Sequence, residues 1–169
     1  YSTGNCGPWN PDYRREWGVV DLDEDRTLAP GSYRNNYCAS RMARDATTGD
    51  SVHVVARLPL ADKVPIGGVL EGPRSVSWIP TKPRTLMWAE ALDGGDPKAE
   101  VEHRDRLMQS DPLTRKPPVE WLRLQHRYSS TMHGPAGQLA VISEYDRDTR
   151  WRREWRANPS QLDQTPVMI

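Results

Sequence analysis

The sequence predicts an all-β chain, folded as a partial, unclosed β-propeller of about three to four antiparallel blades. The composition, with 15 Pro, 12 Gly, 7 Trp and 6 Tyr but no Phe, suits many short strands joined by turns. Apolar residues keep a helical spacing for no more than two turns. Hairpin patterns recur along the chain and one strand pattern repeats, which is typical of sheets arranged radially around an axis.

The 169 residues are treated as a single partial propeller region, which is long enough to bury a core or to form a piece of a larger assembly. Its parts are a loop-rich segment at 1–16, irregular first blades at 17–50, the best-defined blade region at 51–128 and a last, truncated blade at 129–169. A catalytic hydrolase domain is not expected within these limits.

The clearest blade pattern lies in residues 72–106. Polar residues alternate with Val76 and Trp78, as a half-buried strand requires, and Pro80 ends that strand. Leu86–Ala89 is continuously apolar, which favours a strand covered on both faces. Strands are expected near residues 17–22, 52–58, 74–79, 85–91, 104–109, 119–124, 138–144 and 150–156. The cores between blades should be lined by Trp78, Leu86, Trp88, Leu107, Leu122, Leu139 and Val141.

Four hairpins, with turns centred near residues 24, 48, 112 and 159, are interpreted as the outer strands of successive blades. The strand pattern of Leu86–Glu90 recurs 54 residues later at Ala140–Glu144. This spacing fits propeller repeats of about 40 to 50 residues once a longer loop is allowed.

The first interval between hairpins is too short for a regular blade. Gly31–Tyr37 is a polar turn-forming segment without apolar alternation. We therefore expect an irregularity at residues 31–45, where the blade is reduced to an outer hairpin or residues of a parent protein are missing. The apolar flank around Val76 and Trp88 would then need a partner domain or another copy to cover it, or stay exposed.

Neither charge nor hydropathy indicates a nucleic acid or a membrane as a partner, although local basic patches remain possible. Lys plus Arg and Asp plus Glu number 23 each, so the chain has no general attraction to nucleic acid or anionic membranes. No run approaches the roughly 18 apolar residues of a membrane span. The chain opens at Tyr1, which indicates a processed product or a fragment, and its compartment stays open between bacterial cytoplasm, periplasm and secretion.

Cys6 and Cys38 are the two cysteines, and their spacing leaves a disulfide and two free thiols as open alternatives. They form no Cys-x-x-Cys or Cys/His cluster that would indicate zinc.

No catalytic, cofactor-binding or metal-binding residue is predicted. A hydrolase nucleophile would need a Gly-x-Ser-x-Gly elbow, and the segments Gly31-Ser32 and Gly49-Asp50-Ser51 lack the second glycine. The histidines lie on strands or in turns without the partner spacing of a metal site or of a base with its orienting group. We interpret all four as structural: His53, His103, His126 and His133.

Two acidic patterns and one basic pattern have structural explanations. Asp21, Asp23 and Asp25 imitate a calcium loop, but the sixth and twelfth positions lack the required Gly and Glu, so a hairpin turn is preferred. Asp93 and Asp96 are expected to cap amides of their own turn. The run Trp151–Arg156 could stack on single-stranded nucleic acid, yet its alternation favours an outer strand whose arginines pair with Asp146, Asp148 or other acidic neighbours.

Several short motifs occur in one order along the middle of the chain. They are Gly72-Pro73-Arg74-Ser75, Lys82-Pro83, the run Trp88–Lys98 and His103-Arg104-Asp105, extended by Leu58–Asp62, Val64–Gly67 and Glu144–Asp148 with Trp151. On these residues the chain resembles the propeller of bacterial and plastid serine peptidases of the prolyl oligopeptidase family, within it the glutamyl endopeptidase-like branch. The resemblance covers roughly residues 50 to 157.

The resemblance implies a non-catalytic cap over a peptidase active site, which admits short or unfolded peptides. The partner would be an α/β-hydrolase domain of the same parent protein, which carries the catalytic residues. The alternative is a free-standing propeller that offers a surface to a protein partner. A parent gene that continues into a Gly-x-Ser-x-Gly elbow would distinguish the two.

Overall fold

A computed structural model of the chain describes residues 64–169 except 83, 113, 115, 135 and 136, together with the backbone of five strands before residue 64. These are β1 (Val19–Val20), β2 (Leu28–Ala29), β3 (Gly31–Arg34), β4 (Ala39–Asp45) and β5 (Ser51–Leu58). They form the N-terminal sheet, in which β4 pairs antiparallel with β3 and β5 and parallel with β1. β1 pairs antiparallel with β2.

Two four-stranded antiparallel sheets follow, each with its strands in chain order. The middle sheet contains β6 (Arg74–Trp78), β7 (Leu86–Ala91), β8 (Asp105–Ser110) and β9 (Val119–Leu124). The C-terminal sheet contains β10 (Arg127–His133), β11 (Ala140–Tyr145), β12 (Arg152–Ala157) and β13 (Val167–Met168). The described part of the chain contains no helix, and its strand order does not close into a ring.

Each face of the middle sheet has a corresponding face on the C-terminal sheet. On the middle sheet the forward face carries Met87, Ala89 and Leu107, and the rear face carries Leu86, Trp88 and Met108. β11 begins 54 residues after β7, and β12 begins 47 residues after β8. By this correspondence the C-terminal sheet has Ala140 and Ile142 on its rear face and Val141 and Tyr145 on its forward face.

The forward face of the middle sheet packs against the rear face of the C-terminal sheet. The residues buried between them are Ile79, Met87, Ala89, Leu107, Trp121, Leu124, Ala140, Ile142 and Ala157. A smaller cluster of Leu86, Trp88 and Met108 lies on the rear face of the middle sheet, with Val76 and Trp78 packed against it. The sheets therefore stack head to tail, and apolar burial on both faces of the middle sheet stabilises the stack.

Every predicted strand has a counterpart, and the strands of the four predicted hairpins pair as expected. The hairpins β1–β2 and β4–β5 lie in one sheet, however, so the interpretation of all four as outer strands of successive blades was wrong. Burial of Leu86, Trp88 and Leu107 is confirmed, while Trp78 and Leu122 are half-buried beside the clusters. The prediction for Leu139 was wrong, since 42% of it is exposed. β11 starts at Ala140, two residues later than predicted, and its alternation points Ala140 and Ile142 into the core and Val141 away from it.

The interval at residues 31–45 also differs from the expectation. It contains two strands, β3 and β4, which pair antiparallel, so the polar segment that starts at Gly31 was wrongly interpreted as a turn. β2 of this sheet approaches β6, and Trp88 is only 4% exposed. The flank around Val76 and Trp88 is therefore not left uncovered.

In the turn after β7, two neighbouring glycines differ in how closely the backbone of another segment approaches them. Gly94 and Gly95 both have positive φ, but a Cβ on Gly95 would lie 2.0 Å from the carbonyl oxygen of Val69, whereas a Cβ on Gly94 would meet nothing within 4 Å. The Val69 amide donates a 3.0 Å hydrogen bond to the Gly95 carbonyl. We expect Gly94→Ala to cost about 1 kcal/mol for its backbone conformation alone. Gly95→Ala should cost about 2 kcal/mol more, because the Val69 backbone must also move.

Urea unfolding of both variants checks this prediction. Equal losses of unfolding free energy in the two variants would show that the contact between Gly95 and Val69 is not tight.

Candidate functional site: a buried network of arginines and carboxylates

Charged residues meet at one end of the two later sheets, called here the arginine end. β7 leads into Asp93 at this end, β8 begins there at Asp105, and β10 begins there at Arg127. Because antiparallel neighbours reverse direction, the end of one strand and the start of the next lie side by side. The chain order of the sheets thus places these residues together.

Arg127 joins the two carboxylates. Its Nη2 donates to Asp93 Oδ2 at 2.6 Å, and its Nη1 donates to Asp105 Oδ1 at 2.9 Å. Asp93 Oδ2 also accepts from Arg104 Nη1 at 2.9 Å, while Asp93 Oδ1 accepts from the amide of Gly95 at 3.0 Å. Asp105 Oδ2 accepts from the Tyr128 amide at 2.6 Å and from Arg74 Nη2. The network therefore crosses from the middle sheet to the C-terminal sheet.

The network is deeply buried and rich in positive charge. The side chains of Asp93 and Asp105 are fully buried, and three arginines surround these two carboxylates. A buried charge is tolerated only when it is paired and hydrogen-bonded, and this condition is met for both carboxylates. Each of their oxygens accepts from guanidinium or amide donors, so the arrangement braces the two sheets and leaves no carboxylate oxygen poised to transfer a proton.

A third buried carboxylate, Glu144, lies near this end. Its Oε2 accepts from the His126 amide at 2.7 Å, and its Oε1 accepts from Trp155 Nε1 at 2.9 Å. Glu90 has the corresponding place on the middle sheet and accepts from Trp88 Nε1 at 2.7 Å. Glu90 and Glu144, which occupy corresponding positions, therefore each accept a hydrogen bond from an indole N–H on the rear face of their own sheet.

The opposite end of the interface, the lysine end, is held by neutral acceptors. Lys82 Nζ donates to Gln109 Oε1 at 2.9 Å and to the Pro159 carbonyl at 3.0 Å, and Gln109 Nε2 donates to the same carbonyl at 3.3 Å. Burial lowers the pKa of Lys82. The two ends of one interface thus use different chemistry.

The histidines predicted to be structural lie apart from this network's carboxylates. His103 has Glu102 as its neighbour at 3.9 Å, and His126 uses its backbone amide to bind Glu144. In the described part of the chain no serine hydroxyl bonds to a histidine ring, and no group of three His, Cys, Asp or Glu is placed to hold a metal ion. The side chains of His53, Asp21, Asp23, Asp25, Cys6 and Cys38 lie outside the described residues.

The burial of His133 predicts how the stability of the chain depends on pH. Desolvation lowers its pKa below the ordinary 6.5, and its Nδ1 has no hydrogen-bond partner among the described residues. The unfolded chain therefore binds a proton more readily than the folded chain does. The contribution of His133 to stability should be fully present above pH 6.5. It should be lost as the pH drops through 6.5 toward the lower pKa that His133 has in the folded chain.

Unfolding free energies measured from about pH 7.5 to about pH 5 check this, with His133→Gln as the variant and His103→Gln as the control. H133Q should flatten part of the pH dependence, and H103Q should not. The same slope in all three proteins would contradict the assignment.

The predicted turn and strand chemistry is observed in part. Asp93 caps Gly95, and Asp96 accepts from the Lys98 amide at 2.9 Å, as expected for a self-capping turn. β12 places Arg152, Glu154 and Arg156 on one face, as its alternation predicted. Arg152 pairs with Glu154 at 3.4 Å, whereas Asp146 binds the Thr149 hydroxyl, which lowers the pKa of Asp146.

Sequence reasoning missed the arginine network. Each member is a polar residue at a strand boundary, where exposure is the ordinary expectation. The available signal was the spacing of Arg74, Arg104 and Arg127, which begin or directly precede the alternate strands β6, β8 and β10.

The fold and this network define a class of protein: a stack of antiparallel β-sheets braced by buried ion pairs. The chain is 35% identical over 125 residues to a probable chloroplastic glutamyl endopeptidase of Oryza sativa subsp. japonica and 40% identical over 127 residues to a protein of the same description from Arabidopsis thaliana. The matches cover 72% and 73% of this chain but 13% of each relative. They support a relationship to a peptidase family.

No family model matches the chain, and no solved structure matches it significantly. No helix in the part of the chain that the structure describes is long and apolar enough to cross a bilayer.

Proposed function

We propose that this chain is a non-catalytic β-propeller part of a serine peptidase of the prolyl oligopeptidase family, in its glutamyl endopeptidase-like branch. In this role it caps the active site of an α/β-hydrolase domain in the same parent protein. It restricts access to short or unfolded peptides by shape and surface charge.

The head-to-tail stacking of the sheets carries the proposal. The forward face of one four-stranded sheet packs on the rear face of the next, and corresponding strands recur 54 and 47 residues apart. Sheets that stack in this directional way can be repeated around an axis, which is the principle of a propeller. The chain spans 13% of the length of the two plant proteins that it resembles, so most of such a parent lies outside it.

The arginine network suits a cap that must exclude folded proteins. A folded substrate could enter only if neighbouring sheets moved apart, and Arg127 resists this by binding carboxylates of the middle sheet from the first strand of the next. Breaking a buried pair of this kind by removing one partner costs about 3–5 kcal/mol. The network therefore favours a rigid contact between neighbouring sheets of the cap.

A comparison of substrates in the full-length parent protein tests the cap. We expect Arg127→Met to raise cleavage of a folded protein substrate, while kcat/KM for a short chromogenic peptide stays close to that of the wild type. Arg123→Met is the matched control, because Arg123 is an exposed arginine that pairs with Glu120 within one sheet. Faster cleavage of the folded substrate by R123M as well, or by neither variant, would refute the gating role.

The chain of 169 residues by itself should hydrolyse no peptide. In the described residues no serine hydroxyl is bonded to a histidine base; the Ser143 hydroxyl instead donates to Glu154, accepts from Arg152 and is buried away from a peptide in solution. Turnover of a peptide library that survives repurification and is abolished by a serine-directed inhibitor would contradict this expectation. A parent reading frame without a hydrolase domain would instead favour the free-standing interaction module.

A further inference from the structure

The forward face of the C-terminal sheet differs in chemistry from the forward face that precedes it. On the middle sheet the forward positions Met87, Ala89 and Leu107 are fully buried against the next sheet. The corresponding positions on the C-terminal sheet are Val141, Ser143 and Glu154, so this face is polar at its centre. Ser143 donates to Glu154 Oε1 at 3.3 Å, and Arg152 donates to the Ser143 hydroxyl at 3.2 Å.

The charge at one matched position is reversed. Asp105 opens β8 on the middle sheet, and Arg152 opens β12 in the same place on the C-terminal sheet. Asp105 receives Arg127, which opens the first strand of the next sheet. A sheet that stacked on the C-terminal sheet in the same manner would therefore meet Arg152 at the place where Arg127 meets Asp105.

Apolar and aromatic groups surround the charges of this face. The strand registers align Met132 with Val141, Val141 with Arg156, and Arg156 with Val167, which makes one row across four strands. Met132 and Val167 are exposed, as is Tyr145 beside Arg152. Exposed apolar groups mixed with Arg and Tyr are typical of interface residues rather than of a solvated sheet face.

We propose that this forward face binds a further four-stranded sheet of the same parent polypeptide, and that this sheet presents a carboxylate to Arg152. The inference rests on the proposed function, because it requires a parent that continues the stack. It also follows from the existing interface: a head-to-tail contact always leaves one forward face free for the next unit. The reversed charge makes the two interfaces non-interchangeable, so each sheet fits one neighbour.

A second copy of this chain fits the surface less well. The rear face of the middle sheet already buries Trp88, so a head-to-tail contact between copies is blocked there. A forward-to-forward contact would bring together two faces that each carry Arg152 and Arg156 against a single Glu154. Like charges facing each other oppose such a dimer.

Zero-length carbodiimide cross-linking of the full-length parent protein tests the proposal. In the double variant R152K/E154Q the new amine has lost Glu154, its carboxylate neighbour within the sheet, so an isopeptide bond to any residue outside the β11–β12 hairpin reports a carboxylate of another segment. The expected result is one major cross-link, mapped by mass spectrometry, to an Asp or Glu at the start of a strand in a following sheet. The control is R123K, which should couple to Glu120, since Arg123 Nε and Glu120 Oε1 are 2.7 Å apart.

The outcomes separate the alternatives. Loss of the R152K/E154Q cross-link while the R123K cross-link forms would overturn the proposal, because the face would then lie open. A cross-link between isotopically light and heavy copies would also overturn it and assign the face to a dimer. The cross-link does not depend on peptide hydrolysis, so a parent that fails the gating test could still show it, and the two failures remain distinguishable.

Discussion

Trp88→Ala is expected to lower the free energy of unfolding by about 3–5 kcal/mol. The indole is 4% exposed and packs with Leu86 and Met108 on the rear face of the middle sheet. The substitution leaves a cavity on that face, and it also removes the donor that bonds to Glu90 at 2.7 Å. Urea titration followed by tryptophan fluorescence and by circular dichroism measures the loss.

Trp151→Ala provides the matched control for this prediction. It removes the same side chain from a position that is 67% exposed, next to the turn between β11 and β12. A substitution of this kind normally changes stability by no more than about 0.5 kcal/mol. Similar losses in W88A and W151A would show that the rear cluster is not a core.

Asp105→Ala is expected to cost about 3–5 kcal/mol, the range for a buried pair that loses one partner. Its carboxylate is fully buried and accepts from Arg74, Arg127 and the Tyr128 amide. Removing it leaves Arg74 and the Tyr128 amide without this acceptor, while Arg127 keeps its bond to Asp93. Asp105→Asn should cost less than D105A, because the amide oxygen can still accept one hydrogen bond, although it carries no charge.

Glu120→Ala is the control for D105A, since Glu120 pairs with Arg123 and Arg106 on a partly exposed surface. E120A should lower the free energy of unfolding by a small fraction of the loss in D105A, because exposed ion pairs contribute little to stability. Added salt should reduce the E120A effect and leave the D105A effect nearly intact. If salt weakened both equally, the Asp105 carboxylate could not be shielded as the structure shows.

The strands of the two later sheets were largely predictable because their own residues alternate or run apolar. The continuous apolar run Leu86–Ala89 predicted a strand that is buried on both faces, and both faces of this strand are buried in the structure. β10 was not predicted, because its sequence RYSSTMH has no apolar alternation and becomes a strand by pairing with β11. The same holds for β3, which pairs with β4. For such segments the partner strand, rather than local preference, decides the conformation.

The candidate site was less predictable than the strands. Nothing in the local sequence separates Asp105, which is fully buried, from Asp111, which is not. The difference arises because Arg127 comes from the following sheet, and sequence spacing alone does not show which strand ends meet. The self-capping of Asp93 was predictable since its partner Gly95 lies two residues away, while its bonds to Arg104 and Arg127 were not.

The two ends of the interface between the middle and C-terminal sheets differ in how much chain must be looped to form them. At the arginine end Asp105 and Arg127 are 22 residues apart, whereas at the lysine end the shortest contact between the sheets, Gln109 with Pro159, spans 50. The entropy of loop closure rises with the logarithm of loop length, so the first contact costs about 0.7 kcal/mol less to form from the unfolded chain. Folding of this pair of sheets should therefore start at the charged end and close toward the lysine, with the ion pairs already present in the transition state.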